Sequence, residues 1–378
     1  MNRIIAGLLG LAWTVTATAA GDRNWIEKSN GYSMQLFAAL ASFEPEFAAG
    51  LGLDQYDEDT IDLGPDLYQR KMKSSKALQE KLQGALGKEE DPRLKQDLEI
   101  LLQAVEEGMT TERIERDHLL PYYNVHRTLF TSFNSLLDPR NDKSRYPAAL
   151  ERLRKYTGSA RGHEPLTVLA EQQTASRMKV EGLVGPYRGE LEADLDSAPR
   201  LVAGIEGLFR DSGLQDWEGE FELLKQQLAD YSQWVEKELL PRASESNLLP
   251  EAVYANNLSN FGVKLPPAEL ITRGQSNYQL IRSEMKALAW HIASQRGWKD
   301  KDLVSVILAM KREQVPRDKL LGLYQQRLGE VEDIIRREGL VTLPERSASI
   351  RLATEAESAA IPASFMSPPQ LINLSLIH

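Results

Sequence analysis

The chain of 378 residues contains no cysteine and only five histidines. The lack of cysteine excludes disulfides, cysteine-ligated zinc, iron–sulfur clusters, thiol catalysis and lipidation at a signal-cleavage site. Basic residues are also in deficit, since 45 Lys and Arg stand against 55 Asp and Glu and the net charge is −10. This acidic balance argues against nonspecific nucleic-acid binding, which uses Lys and Arg to neutralise phosphates. We therefore expect no nucleic acid among the partners.

The first twenty residues have the features of a secretory signal peptide. Arg3 supplies the basic start, and Ile4 to Val15 form an apolar run that is too short for a typical transmembrane helix. Small residues at 17–19 then favour cleavage near Ala19 or Ala20. An uncleaved membrane anchor is the alternative interpretation. We expect a secreted protein, periplasmic in a Gram-negative host, with no stable membrane insertion after signal cleavage.

Helical periodicity dominates the remaining sequence and predicts an all-α, multi-helix array. In the clearest segment, Asp216 to Leu240, apolar residues recur every three or four positions, Asp216 is a candidate N-cap and Pro241 ends the pattern. Long helices are also predicted from Pro266 or Pro267 to Gly297 and from Pro316 to Glu338. Shorter helices are predicted at 66–86, 92–107, 144–157, 165–182, 199–210 and 347–360. The length corresponds to about two domains or one large helical domain.

The histidines and their acidic neighbours do not form a recognisable metal motif. His163-Glu164 lacks the second histidine of an HExxH motif. Glu115 and His118 form a single ExxH pair, whereas a carboxylate-bridged di-metal site uses two such pairs. His126 and His291 are better explained as structural residues of helices.

Two other patterns resemble functional motifs only in part. Four aspartates at positions 54, 57, 59 and 62 lack the glycine that a calcium-binding loop needs, so they predict a solvated acidic loop. Ser176-x-x-Lys179 and Ser283-x-x-Lys286 match a nucleophile motif whose companion Lys-Thr-Gly is missing. The residues themselves therefore identify no catalytic, cofactor-binding or metal-binding position.

Several ordered stretches resemble the bacterial family DUF885, which belongs to the HExxH metallopeptidase clan. The similar segments begin at Phe43 to Asp57 and continue through Tyr146 to Tyr156 and Gly262 to Leu270. The strongest single segment is Phe365 to Asn373, with its Phe-Met-Ser-Pro-Pro-Gln run. Taken in this order, the resemblance extends over essentially the whole mature chain.

The resemblance implies the helical N-terminal portion of a zincin-type channel peptidase. Family members are expected to hold zinc with two histidines and a glutamate, and to hydrolyse peptide bonds with zinc-activated water. The family's zinc motif follows the segment similar to Phe365–Asn373, and no HExxH occurs in these residues. No catalytic or metal residue is therefore carried over, and no cofactor is expected in this chain although zinc is expected in full-length relatives. The predicted division is 1–20 signal peptide, 21–373 truncated metallopeptidase-like portion and 374–378 atypical tail.

Two interpretations of the missing motif remain. The first, which we favour, is the helical portion of an exported zinc-metallopeptidase-like protein, shortened by a frameshift or premature stop and inactive as this chain. The second is a non-catalytic periplasmic protein that binds peptides or a partner. Peptides are the expected ligands in the first interpretation, and peptides or a partner in the second. Amphipathic helices without their usual neighbours are also expected to expose an apolar face through which the chain self-associates.

Overall fold

The computed structural model describes residues 24–344, 348–361, 363 and 366. Within these residues the chain forms helices and no strand, which confirms the predicted all-α class. The helices are α1 Asn24–Ala41, α2 Pro45–Gly50, α3 Leu67–Leu86, α4 Pro92–His118, α5 Val125–Leu136, α6 Ala148–Thr157, α7 Leu166–Arg177, α8 Arg188–Ser212, α9 Glu218–Trp234, α10 Glu251–Asn260, α11 Pro267–Gln295, α12 Leu303–Lys311, α13 Arg317–Glu338 and α14 Glu355–Ala360. A π-helical turn, Val235–Leu239, follows α9.

The chain divides into two compact units. The first contains the described residues up to Phe261 together with those from Thr354 onward, and the second runs from Gly262 to Ala353. In the first unit a large apolar core is formed mainly by α5 to α9 and α14. A second, leucine-rich core in this unit joins α1, α3 and α4. The candidate site described below lies within this unit.

Helix α9 shows how the sequence specifies the main core. Its apolar residues Phe221, Leu224, Leu228 and Tyr231 follow helical spacing, and each is almost fully buried. The predicted stripe is therefore confirmed. The predicted N-cap is not, because Asp216 has a left-handed backbone (φ 61°) and the helix begins at Glu218.

Two helices extend well beyond their predicted ends. Helix α4 was predicted to stop before Gly108, but it continues to His118 because its second half packs against α10. Helix α8 was predicted to begin at Pro199, but it begins at Arg188 and keeps Pro199 in its interior. In both cases tertiary packing outweighs the local preference of one residue.

The second unit has a small core and long exposed helices. Ala289, Ala293 and Val306 form its buried cluster, which joins α11 to α12. The predicted start of α11 and the left-handed glycines after α11 and α13, Gly297 and Gly339, are confirmed. Helix α13 buries none of its side chains.

Some sequence expectations fall outside the described residues. These are the signal peptide at 1–20, most of the Phe365–Asn373 segment, the 374–378 tail and His378. Among the described helices, none combines the length and the apolar character that a membrane crossing requires.

Candidate functional site

A cleft of about 970 Å³ lies in the first unit. Its walls come from the chain around Phe43, the start of α3, the last turns of α4 and the outer face of α7. The segments 184–187 and 246–250 complete the lining. The volume lies at the upper end of the roughly 300–1,000 Å³ that is typical of ligand sites.

Backbone hydrogen bonds fix one wall of the cleft. Leu120 N donates to Val184 O at 2.9 Å, and Val184 N donates to His118 O at 2.9 Å. A few residues later Ser244 N donates to Pro186 O, also at 2.9 Å. The 184–186 segment is therefore held between two other chain segments, and Gly185 fits there because a Cβ at this position would collide with the Arg242 carbonyl.

A lysine between two glutamates forms the polar centre of the cleft. Lys71 Nζ lies 3.6 Å from Glu44 Oε1 and 4.0 Å from Glu112 Oε2, and all three side chains are largely buried. Burial raises the pKa of the nearby Glu115 carboxyl, and the negative charge of Glu112 raises it further while Lys71 lowers it. This centre brings the Lys71 ammonium group close to two carboxylates, with the Glu115 carboxyl nearby.

Two adjacent tyrosines, Tyr122 and Tyr123, line the cleft beside these carboxylates. Burial raises the pKa of Tyr123 to about 12, and the charges of Glu112 and Glu44 contribute to the increase. Burial also raises the pKa of Tyr122, with a further increase from Asp194. Both phenols therefore stay protonated at neutral pH, and the Tyr122 hydroxyl is hydrogen-bonded to the Asp194 carboxylate.

Two arginines, Arg116 and Arg177, also line the cleft. Arg177 Nη2 donates to the Arg116 carbonyl at 2.6 Å, and the Arg116 guanidinium lies 3.9 Å from the centroid of the Tyr68 ring. These contacts hold two positive charges at fixed positions along the wall.

The lining as a whole is acidic and has an apolar rim. Its ionisable side chains are Glu44, Asp62, Asp66, Glu112, Glu115 and Glu190 against Lys71, Arg116 and Arg177. At the rim Leu248 and Leu249 are 78% and 46% exposed. Such a lining suits a ligand that carries both apolar and cationic groups, because the acid excess creates a negative potential.

Of the histidines and their acidic neighbours considered as metal ligands, most lie outside the cleft. Glu115 lines the cleft, whereas His118 contributes its backbone carbonyl at the end of α4. His126 is buried, its Nε2 lies 3.3 Å from Ser232 Oγ, and burial lowers its pKa to about 4. His163 and His291 are exposed on the surface.

The acidic-loop prediction was wrong for two of its four aspartates. Asp57 is buried and accepts two hydrogen bonds from Arg145, at 2.7 and 2.6 Å. Asp62 forms a two-point ion pair with Arg70, which holds the pKa of the Asp62 carboxyl below its usual range. The loop is therefore anchored to the helices by arginines, which its own sequence does not indicate.

Neither Ser-x-x-Lys motif forms a nucleophile site in the structure. Ser176 lines the cleft, but its hydroxyl donates to the Gln173 carbonyl at 2.8 Å, and both Ser283 and Lys286 are exposed on α11. The sequence analysis missed the polar centre at Lys71, whose neighbours are distant in the chain.

The described residues do not fit a zinc site. Among them, no group of three or more His, Asp and Glu side chains is arranged to hold a metal ion. Three of the described histidines also lie in different environments. His126 is buried in the core, whereas His163 and His291 are exposed to solvent. No zinc ligand and no zinc-dependent step are assigned to these residues.

The fold and the cleft define a helical protein with an acidic, apolar-rimmed cleft. Residues 45–375 match the model of the family described as bacterial protein of unknown function (DUF885), so the chain belongs to this family. This result confirms the family resemblance seen in the sequence. Comparison with the curated proteins gave no match, and comparison with the solved structures gave none either.

Proposed function

We propose that this chain is the helical, peptide-binding part of an exported protein related to zinc metallopeptidases. In this proposal the cleft binds peptide, and the described residues contribute substrate binding rather than bond cleavage. The cleft of about 970 Å³ is the observation that carries the proposal. Membership of DUF885 supports it through the family's expected relationship to HExxH peptidases.

The lining offers complementary groups for an extended peptide. Leu248 and Leu249 provide apolar surface at the rim, while Tyr123 contributes a phenol to the lining of the cleft. The acid excess favours peptides with a net positive charge, and it increases their rate of association at low salt. We therefore expect basic peptides with apolar residues to bind best.

Hydrolysis would depend on zinc held by residues other than the described ones. When bound, zinc activates water and polarises the peptide carbonyl. The 378 residues contain no HExxH motif, so we expect this chain alone to bind peptide without cutting it.

The test is a binding assay with a matched pair of variants. Fluorescence anisotropy with labelled heptapeptides, sorted by net charge, should give saturable binding that is tightest for the basic set. Leu249→Asp at the rim should weaken this binding at least tenfold. Leu223→Asp, a similarly exposed leucine on α9 outside the cleft, should leave it unchanged.

Two results would contradict the proposal. Equal effects of Leu249→Asp and Leu223→Asp would remove the cleft as the binding site. Stoichiometric zinc, measured by mass spectrometry of metals, together with peptide cleavage by the same 378 residues, would overturn the non-catalytic assignment.

The alternative function is binding of a protein partner without any chemistry. It is favoured by the second unit, where the apolar side chains Ile271, Tyr278, Tyr324 and Val331 are each more than half exposed. Saturable binding of a protein partner that survives Leu249→Asp but is lost on Tyr324→Lys would support this alternative over the peptide cleft.

A further inference from the structure

A smaller cavity of about 120 Å³ lies beside the cleft in the first unit. It is a partly open cavity bounded by α1, α3, α4 and Phe47 of α2, and its walls are mainly apolar. The principal side chains are Leu36, Leu40, Phe47, Met72, Val105 and Met109.

The cavity and the cleft share part of their lining. Phe43, Glu44, Lys71 and Glu112 contribute to both. Lys71 and its two glutamates therefore line both spaces. A ligand group that passes them from the cleft contacts the apolar wall of the cavity. A ligand in the cleft can therefore extend one side chain into the cavity.

The chemistry of the cavity selects an uncharged group. An apolar cavity of about 150 Å³ binds benzene, so a volume of about 120 Å³ fits a leucine-sized side chain. The Thr111 hydroxyl is already engaged, since it accepts hydrogen bonds from Asn256 at 2.9 Å and Asn260 at 3.0 Å. A charged side chain would lose its hydration against the apolar wall, and at the polar end it would have to compete with the ion pairs of Lys71 to Glu44 and Glu112.

We propose that this cavity is the specificity pocket for a leucine-sized aliphatic side chain of a peptide bound in the cleft. The inference rests on the proposed peptide-binding function and adds a substrate preference to it. The cavity itself is tested independently of peptide, with benzene as the probe.

The experiment uses a cavity-filling variant and a matched control. A Cβ at Gly108 would meet no atom within 4 Å and Gly108 lines the cavity, so Gly108→Leu places its side chain in the free space. Gly84 on α3 has equally free surroundings but lines neither space, so Gly84→Leu is the control. Both substitutions favour the helical conformation. Ser75→Leu fills the cavity from α3 and serves as a second filling variant.

Calorimetry with benzene should show saturable binding to the unmodified chain and to Gly84→Leu, and at least tenfold weaker binding to Gly108→Leu. Anisotropy should show that replacing leucine by alanine in a bound peptide weakens binding about tenfold. This preference should disappear in Gly108→Leu or, if that variant does not fold, in Ser75→Leu.

The outcomes separate the two proposals. Failure of benzene to bind, or equal benzene affinity in the filled variants, overturns the pocket. Peptide binding that does not distinguish leucine from alanine overturns the pocket and leaves the peptide cleft intact. Absence of any peptide binding overturns both.

Discussion

Tyr156 and Glu46, 110 positions apart in the chain, meet at a hydrogen bond of 2.6 Å between the phenolic oxygen and the carboxylate. Glu46 Oε1 also accepts from the backbone N–H of Ile61 at 2.6 Å. Ser132 Oγ lies 2.8 Å from the same phenolic oxygen. These hydrogen bonds connect α2, α5 and α6 with the loop that precedes α3. Ile61 in this loop also lines the cleft, so the bonds stabilise part of the cleft wall.

Tyr156→Phe tests the contribution of this hydrogen bond to stability. The substitution preserves the ring, which packs edge-on against Phe133, but removes a buried donor to Glu46. The Glu46 carboxylate keeps the Ile61 N–H, and Ser132 keeps its bond from Arg152. We expect the free energy of unfolding to fall by about 1–3 kcal/mol, measured by urea denaturation. Tyr254→Phe, at an exposed tyrosine, should have little effect. An equal loss in both variants would contradict a specific role for the Tyr156 hydroxyl.

Glu46 predicts a pH dependence of stability. Burial raises the pKa of its carboxyl, although the Tyr156 hydrogen bond and the Arg152 charge oppose the shift. The folded chain therefore binds this proton more tightly than the unfolded chain. The resulting stabilisation is complete below the ordinary carboxyl pKa and is lost as pH rises through the higher folded value.

Glu46→Gln isolates this effect because glutamine stays neutral. From pH 4 upward, the unfolding free energy of the unmodified chain should decline relative to that of Glu46→Gln in urea titrations. Glu238→Gln, at a more exposed glutamate, corrects for the general loss of one carboxylate. A difference between the two chains that stays constant with pH would rule out titration of Glu46.

Arg152 provides a third test, because its guanidinium is fully buried. It donates to the carbonyls of Tyr56 and Asp59 at 3.0 and 3.1 Å and to Ser132 Oγ at 3.1 Å. Lysine cannot reproduce three donors in one plane, so Arg152→Lys should lower the unfolding free energy by about 2–4 kcal/mol. Arg154→Lys, two positions away and half exposed, should change it little in the same denaturation assay. Similar losses for both variants would contradict the assigned role.

The sequence predicted the helices best where side-chain pattern and burial agree. The stripe of α9 met this condition, because each apolar residue faces the main core. The end of α4 did not, since Gly108 suggested a stop while packing against α10 extends the helix to His118. Helices α1, α2, α5, α10 and α12 were not predicted, although the buried residues Val125, Leu129 and Phe133 of α5 follow helical spacing.

The candidate site was less predictable than the fold because its groups come from distant parts of the chain. Lys71 is near Glu44 and Glu112 only after α3 and α4 pack against each other. Asp57 and Arg145 are likewise 88 positions apart. No local spacing signals such pairs, whereas a motif of the HExxH kind would have been visible within five residues.

The second unit predicts self-association. Helix α13 has an apolar stripe but buries no side chain, and Tyr324 and Val331 are 58% and 51% exposed. Exposed apolar patches favour association. Sedimentation velocity should show an increasing sedimentation coefficient with concentration, and Tyr324→Lys should reduce this increase.

Gln325→Lys is the control for Tyr324→Lys, because it adds the same charge at an exposed neighbouring position without removing apolar surface. It should leave association close to that of the unmodified chain. A monodisperse, cooperatively melting monomer at all concentrations would contradict this prediction.

Export is tested at the N-terminus, where the apolar run from Ile4 to Val15 predicts a cleaved signal. In a Gram-negative host, mass spectrometry of the periplasmic fraction should find a mature protein that begins just after Ala19 or Ala20.

Leu9→Arg places a charge within the apolar run and should retain the uncleaved chain in the cell. Asn2→Lys adds a charge to the basic start instead and should preserve export, since a signal peptide tolerates positive charge there. An uncleaved chain in the membrane fraction would support the anchor interpretation instead.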